Sequence, residues 1–190
     1  MARRGIPFVV SAPSGTGKTT VCKALVDSDP QLRFSISHTT RAPRNGERDG
    51  VDYHFVDRAT FAALVAQGAF LEHAEYAGNL YGTSFAALEA PLAAGCDLLL
   101  EIEVQGARQV RERRSDACLV FLLPPSSEAL ERRLAGRGSD SPEAVKARLD
   151  LAKRELAARD LFDYAIVNDD LDRCVAAVRA VIAAERRKAE

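Results

Sequence analysis

Apolar residues along this chain fall into short unbroken runs separated by stretches where they recur every three or four positions. The runs Phe8–Val10, Asp97–Val104 (DLLLEIEV) and Ala117–Leu123 are apolar almost throughout, and Tyr164–Val167 reads as a last short strand. Such runs predict strands covered on both faces. Between them lie helical patterns. Lys18, Thr19 and Thr20 open a helix continued by Val21, Leu25 and Val26, which stops before Asp29-Pro30. Ser84 to about Ala94 and Gln105–Arg114 give two more. Ser126 or Ser127 caps a helix with Leu130 and Leu134, ended by Gly136, and Ser141-Pro142 starts one carrying Val145, Leu149, Ala152 and Leu156. Leu171, Val175, Val178 and Ile182 line the last helix. Strand–helix alternation with short connections predicts an α/β fold, a parallel sheet with helices on both faces.

From about Ser35 to Tyr81 the pattern changes. Phe34 and Ile36 suggest a short alternating strand, followed by a loop dense in Arg, Gly and Asn and a second alternating piece at Tyr53–Val56. Asp57 is placed to cap a helix carrying Phe61, Leu64 and Val65, and Ala69–Tyr76 and Asn79–Tyr81 read as further strands. A small β-rich lobe inserted in a larger scaffold is expected. The predicted division of this single domain is a core of 5–34, 84–135 and 150–190, a lobe of 35–83 and a lid of 136–149.

Composition narrows the picture further. The formal net charge is −1, so nothing points to a general polyanion binder, and no aromatic-basic stripe suggests a nucleic-acid surface. Cys22, Cys96, Cys118 and Cys174 are scattered without a CxxC pair, which predicts free thiols in a reducing compartment. The first strand begins too early for a signal peptide and no run approaches membrane length, so a cytoplasmic location without membrane partners is expected. Self-association is left open.

The chemistry begins at FVVSAPSGTGKTTV, Phe8 to Val21. A buried strand, a loop with Gly15 and Gly17, and a helix opening at Lys18-Thr19 make the layout of a phosphate-binding loop, whose backbone N–H groups and helix N-terminus cradle anionic oxygens. Lys18 would reach the β- and γ-phosphates and the Thr19 hydroxyl would ligate Mg²⁺. Ala12 stands where the strict motif has its first glycine. A Gly/Ser-rich turn before an ordinary surface helix is the bland alternative, and the strand–loop–helix context argues against it.

Three further features join the loop. Arginines gather in two regions, Arg41, Arg44 and Arg48 in one and Arg132, Arg133, Arg137 and Arg148 in the other. Any single one serves equally well as a solvated surface residue, but a planar guanidinium suits phosphate oxygens, and phosphoryl transfer between polyanions needs several cations. Gly136-Arg137-Gly138 reads as a lid. Glu101 and Glu103 alternate on one predicted strand and share a face at its C-terminal end, where ligands of open α/β sheets bind. Ser37, Tyr53, Glu72, Tyr81 and Thr83 in the lobe offer hydroxyls and a carboxylate to a second, smaller ligand.

The blocks APSGTGKT, SHTTRAPRNGE, DGVDYHF, FLEHAEYAGNLYGT, LEIEVQGA, LPPSSEALERRLAGRG and IVNDD follow one another in an order that resembles guanylate kinases over essentially the whole chain. The resemblance implies a P-loop core, an Arg-rich lid and a lobe for the nucleoside monophosphate, with the reaction ATP + GMP to ADP + GDP and Mg²⁺ as cofactor. It implies that Ser37, Glu72, Thr83 and Glu101 contact the guanine and that Arg41, Arg44, Tyr53 and Tyr81 hold the GMP phosphate. Ala12, Pro13, Ser14, Gly15, Thr16, Gly17, Lys18, Thr19 and Thr20 would surround the ATP phosphates, and Asn168 and Asp169 would lie next to the adenine. Lys18, Arg41, Arg133, Arg137 and Arg148 would act on the transferring group. Glu103 replaces the Asp more familiar in its block, which leaves its contact with Mg²⁺ or phosphate open. The rival expectations are a non-catalytic binding module of the same fold and a kinase for a different small acceptor.

Overall fold

The computed structural model describes residues 3–135 and 142–189. In chain order its elements are β1 (Pro7–Ser11), α1 (Lys18–Ser28), β2 (Leu32–Phe34), β3 (His38–Thr39), β4 (His54–Phe55), α2 (Arg58–Ala66) and β5 (Phe70–Tyr76). Then follow β6 (Asn79–Ser84), α3 (Phe85–Ala93), β7 (Asp97–Glu101), α4 (Val104–Arg113), β8 (Cys118–Leu123) and α5 (Ser127–Ala135). The chain closes with α6 (Pro142–Leu156), a single tight helical turn at Arg159–Leu161, β9 (Tyr164–Val167) and α7 (Leu171–Lys188).

Five strands form an all-parallel sheet in the order β2-β7-β1-β8-β9. Successive side chains of a strand point to opposite faces, so an unbroken apolar run has to be covered twice. Phe8 and Val10 of β1 go with Leu99, Cys118 and Val120 to the face under α1 and α7, where Val21, Leu25, Val178 and Ile182 meet them. Val9 goes with Leu98, Leu100 and Leu119 to the other face, under Leu88 and Leu92 of α3 and Ala107 and Val110 of α4. The fold class is the one the sequence predicts. All four cysteines are free; Cys22, Cys118 and Cys174 are buried and Cys96 is partly covered.

The second sheet, in the order β4-β3-β6-β5, is mixed and is built from strands between His38 and Ser84. Asp57 caps its helix as expected, accepting from the Thr60 amide, and two further side-chain caps are present: Ser84 accepts from Ala87 and Asp170 from Arg173. Each such cap stabilises its helix by about 1 kcal/mol.

Two elements differ from the sequence prediction. The strand expected around Phe34–Ile36 is split between sheets: Leu32–Phe34 pairs with β7 at the edge of the large sheet, and His38–Thr39 belongs to the small one. The strand expected to run to Val104 ends at Glu101, because Glu103 takes the cap position of α4 with extended backbone (φ −80°, ψ 164°) and Val104 begins the helix. Glu101 and Glu103 therefore do not share one strand, although Ile102 still donates its amide to the Val10 carbonyl at 3.3 Å.

Candidate active site

Apolar packing sets the position of the loop between β1 and α1. Ala12 is buried in the core at its start, and Thr16 is fully buried at its turn. Ala12 has ordinary backbone geometry; Ala77 is the non-glycine residue with positive φ among the described residues, so the missing first glycine carries no strain. Gly17 is different. It caps α1 at φ 94°, and a Cβ there would stand 2.9 Å from the Asn168 amide nitrogen. A side chain at that position meets both an unfavourable backbone region and a neighbour.

The loop is braced from outside. The Thr16 carbonyl accepts from Asn168 Nδ2 at 2.7 Å and from Arg133 Nη1 at 3.2 Å, and Arg133 Nη2 reaches the Asn168 carbonyl at 3.3 Å. Asn168 is buried, whereas Asp169 faces outward and pairs with Arg173 at 2.7 Å. A cleft of about 230 Å³ opens over the loop. Ala12–Gly15 and Gly17–Thr20 form its floor, and Glu101, Glu103 and Tyr76 its walls.

Register places the two carboxylates. Val10 pairs with Glu101 across β1 and β7, which brings that side chain level with the start of the loop, where it accepts from the Thr19 hydroxyl. Glu103 accepts from Lys18 Nζ at 2.8 Å, and the same ammonium donates to the Ile102 carbonyl at 3.1 Å. Burial pulls the Lys18 pKa down, but Glu103, with Glu101 behind it, more than offsets this and holds the ammonium above its usual range. Lys18 is thus a fully charged cation at the mouth of the loop.

In the lobe, β3, β5 and β6 converge on a chain of polar groups. The Thr83 hydroxyl donates to Glu72 Oε1 at 2.7 Å, so the Ser37 hydroxyl, 3.1 Å away, is the donor to Thr83. Glu72 is only 4% exposed, and burial pushes its carboxyl up to about 7 against the pull of Thr83 and Lys18. Arg41 lies over the Tyr53 ring at 5.4 Å, and Tyr53 and Tyr81 meet edge-on at 6.2 Å. Both ends of the Arg41 fork are taken by Glu47, at 2.8 and 3.0 Å, and the Arg44 amide donates to the same carboxylate at 2.6 Å. Glu47 shows that this corner accepts a bidentate anion. Arg148 lies half-buried on α6. Arg137, with residues 136–141 of the expected lid, lies outside the described residues.

Residues 4–185 match the family model described as guanylate kinase. The chain belongs to the guanylate kinase family. It is 55% identical to the guanylate kinase of Alkalilimnicola ehrlichii over 98% of this chain and 92% of that protein. It is also 55% identical to a guanylate kinase of Thermus thermophilus, over 97% and 84% of the two chains. Among solved structures, the guanylate kinase of Anaplasma phagocytophilum superposes with a TM-score of 0.78 at 36% identity, covering 97% of this chain and 87% of that one. The parallel core and the separate small sheet are those of the guanylate kinase fold.

Three residues at the site escaped sequence reasoning. Tyr76 reaches the loop cleft from the tip of β5, which no local pattern signals. Glu47 gave a signal in hindsight: an acidic residue among Arg41, Arg44 and Arg48 is the natural counter-ion of that cluster. Glu155 is a buried carboxylate on α6 that accepts from the Ser14 amide and leaves Oε2 without a hydrogen-bond partner among the described residues. Burial, with Glu103 nearby, pushes it up to about 7. On sequence it is one acidic residue on a charged helix.

Proposed function

We propose that this chain transfers the γ-phosphoryl group of ATP to GMP or dGMP, giving ADP and GDP, and serves purine nucleotide metabolism in the cytoplasm. The observation that carries the reading is the Ser37–Thr83–Glu72 chain, with Glu72 and Thr83 buried and Glu72 within the electrostatic reach of Lys18 on the phosphate-binding loop. Guanine presents two donors on its pairing edge, N1–H and the exocyclic amine, and an ionised Glu72 accepts both. Adenine presents a bare N1 acceptor there and would face the carboxylate lone pairs. A site of buried polar groups discriminates strongly, because the wrong base leaves those groups unpaired.

Arg41, Arg44, Tyr53 and Tyr81 would hold the GMP phosphate, which takes over the anion position of Glu47 on the Arg41 fork. Glu101, at the junction of lobe and loop, would contact the base side as well as Thr19. The amides of residues 12–20 and Lys18 would hold the ATP phosphates, with Asn168 and Asp169 next to the adenine. Lys18 exchanges the Glu103 carboxylate for the phosphates as they bind. Arg133, Arg137 and Arg148 would add positive charge as the group moves between the two nucleotides. The barrier falls through alignment and charge neutralisation, with no dedicated side-chain base.

The residues at the loop fit Mg²⁺. Thr19, Glu101 and Glu103 offer one hydroxyl and two carboxylates, all hard oxygen donors, along one cleft. That combination suits a cation held mainly by phosphate oxygens and water, with Thr19 and, through water, Glu103 as protein partners. When bound, Mg²⁺ supplies charge neutralisation on the β- and γ-phosphates.

No helix of the described residues is long and apolar enough to cross a membrane. The test is ADP formation from ATP and Mg²⁺ with GMP, dGMP, AMP, UMP or CMP supplied singly. Turnover confined to the guanine acceptors supports the proposal. Turnover on another base would overturn the guanine site, and none from folded protein would leave a binding module.

A further inference from the structure

Helix α4 presents one face to strand β5, made by Gly106, Gln109 and Arg113. Gln109 binds the backbone of His73 in both directions, accepting from its amide at 3.1 Å and donating to its carbonyl at 2.8 Å. Arg113 donates to the carbonyls of Phe70 and Leu71 at 2.9 and 2.8 Å. Glu72 lies between those anchor points, so its backbone is fixed on both sides by a helix of the core. Its side chain runs along the same helix toward the first turn. There, Oε2 lies 2.5 Å from the point where a Cβ on Gly106 would stand, and Cδ lies 3.2 Å from it.

We infer that Gly106 is a positioning residue for guanine recognition: the missing side chain is what lets the Glu72 carboxylate lie against α4 at the angle that meets the base. The backbone does not require glycine, since Gly106 is a helical residue in the first turn of α4 and is not among the glycines with positive φ. Alanine there is favoured by helix propensity. The collision falls on the end of a flexible side chain whose strand cannot retreat. Relief comes from turning the carboxylate away, so the substitution costs recognition and leaves the fold intact. Thr83 holds only Oε1; the space beside Gly106 sets where Oε2 goes.

This inference rests on the guanylate kinase reading, with Glu72 as the group that reads the base. The test compares Gly106→Ala with the parent enzyme in steady-state kinetics, varying GMP, IMP (which lacks the exocyclic amine) and ATP, with Tm measured alongside. The expected result is a loss of about tenfold or more in kcat/KM for GMP, as for small misplacements of a binding group. The preference for GMP over IMP shrinks, the KM for ATP is unchanged, and Tm is equal or higher. In a Glu72→Asp background, whose carboxylate ends one methylene short of the collision, the same glycine substitution costs little more, so the two changes are coupled. Gln105→Ala, one residue away on the exposed side of the helix, leaves all four readouts at parent values. A Gly106→Ala enzyme with parent GMP kinetics and parent GMP/IMP ratio overturns the inference. So does one that loses ATP and GMP alike with a lowered Tm, or losses that simply multiply with Glu72→Asp. Absence of GMP-dependent turnover in the parent is a different failure: it removes the functional reading, and this inference with it.

Discussion

Burial raises the Glu72 carboxyl from an ordinary value of 4.5 to about 7, while recognition of guanine calls for the ionised form. The folded pKa is above the unfolded one, so the stabilisation is fully present below about 4.5 and is lost as pH rises through about 7. Glu72→Gln removes that dependence. Its expected effect is to raise stability by up to about 3 kcal/mol at pH 8 and to change it little at pH 4, measured by denaturant unfolding at both values. The same variant is expected to weaken GMP far more than ATP. In the parent, kcat/KM for GMP rises with pH through about 7 as Glu72 ionises. The GMP phosphate itself titrates at about 6, and that step persists in the Gln variant while the one from Glu72 is gone. Lys18 sits at the opposite end of the site with its charge secured by Glu103. Lys18→Ala is expected to cut turnover by at least about a hundredfold while Tm stays close to the parent, since the residue touches only loop and strand-end acceptors. Near-parent turnover would contradict the placement of the ATP phosphates.

At the scale of elements, the loop owes its shape to neighbours far along the chain. Arg133 of α5 and Asn168 after β9 share the Thr16 carbonyl, so either one partly covers for the loss of the other. Arg133→Ala and Asn168→Ala are each expected to cost about 1 kcal/mol and to raise the KM for ATP several-fold, with the pair costing more than the two losses combined. Chemical denaturation and ATP titration of the four proteins check this. That bracing was not legible in the sequence, because hydrogen bonds spanning more than a hundred residues leave no periodic trace. The buried strands and amphipathic helices were legible, because a parallel sheet covered twice demands continuous apolar runs. The end of β7 was not: Ile102 and Val104 continue its apolar pattern, and only the cap geometry of Glu103 shows that the helix has begun. The two-residue strands β3 and β4 are too short for any alternation to register, although the loop, Glu72, Ser37 and Thr83 were all named from sequence and the last three meet in one hydrogen-bonded chain.

The whole molecule is tied at the end of the sheet away from the loop. Asp97, at the start of β7, is fully buried and accepts from both Arg3 nitrogens at 2.9 and 3.0 Å, from the Ile6 amide at 2.7 Å and from Arg186 Nε at 2.7 Å. Arg186 also pairs with Asp29 at 2.8 Å, so one cluster joins the entry to β1, the segment after α1 and the end of α7. Burial pushes the Asp97 carboxyl up, but Arg3, the Ile6 amide and Arg186 together hold it below its ordinary value. A depressed carboxylate stabilises above its unfolded pKa, and the contribution is lost as pH falls through the folded one, below about 3.8. Asp97→Ala strands Arg3 and leaves Arg186 with Asp29 alone, and is expected to cost about 3 kcal/mol near neutral pH, seen as a lowered Tm with unchanged KM values in the folded fraction. A Tm at the parent value would show that the cluster contributes nothing to holding the termini.

The central claim is that two ligand regions, the braced loop and the Ser37–Thr83–Glu72 lobe, face each other so that one phosphoryl group passes directly between nucleotides. Incubating the protein with Mg²⁺, GMP and ATP labelled at the γ-phosphate tests it most directly, by following where the label goes. The account predicts label in GDP, dependent on GMP, absent with AMP and lost in Lys18→Ala. Label recovered only as free phosphate, or on an acceptor other than a guanine nucleotide, would contradict it.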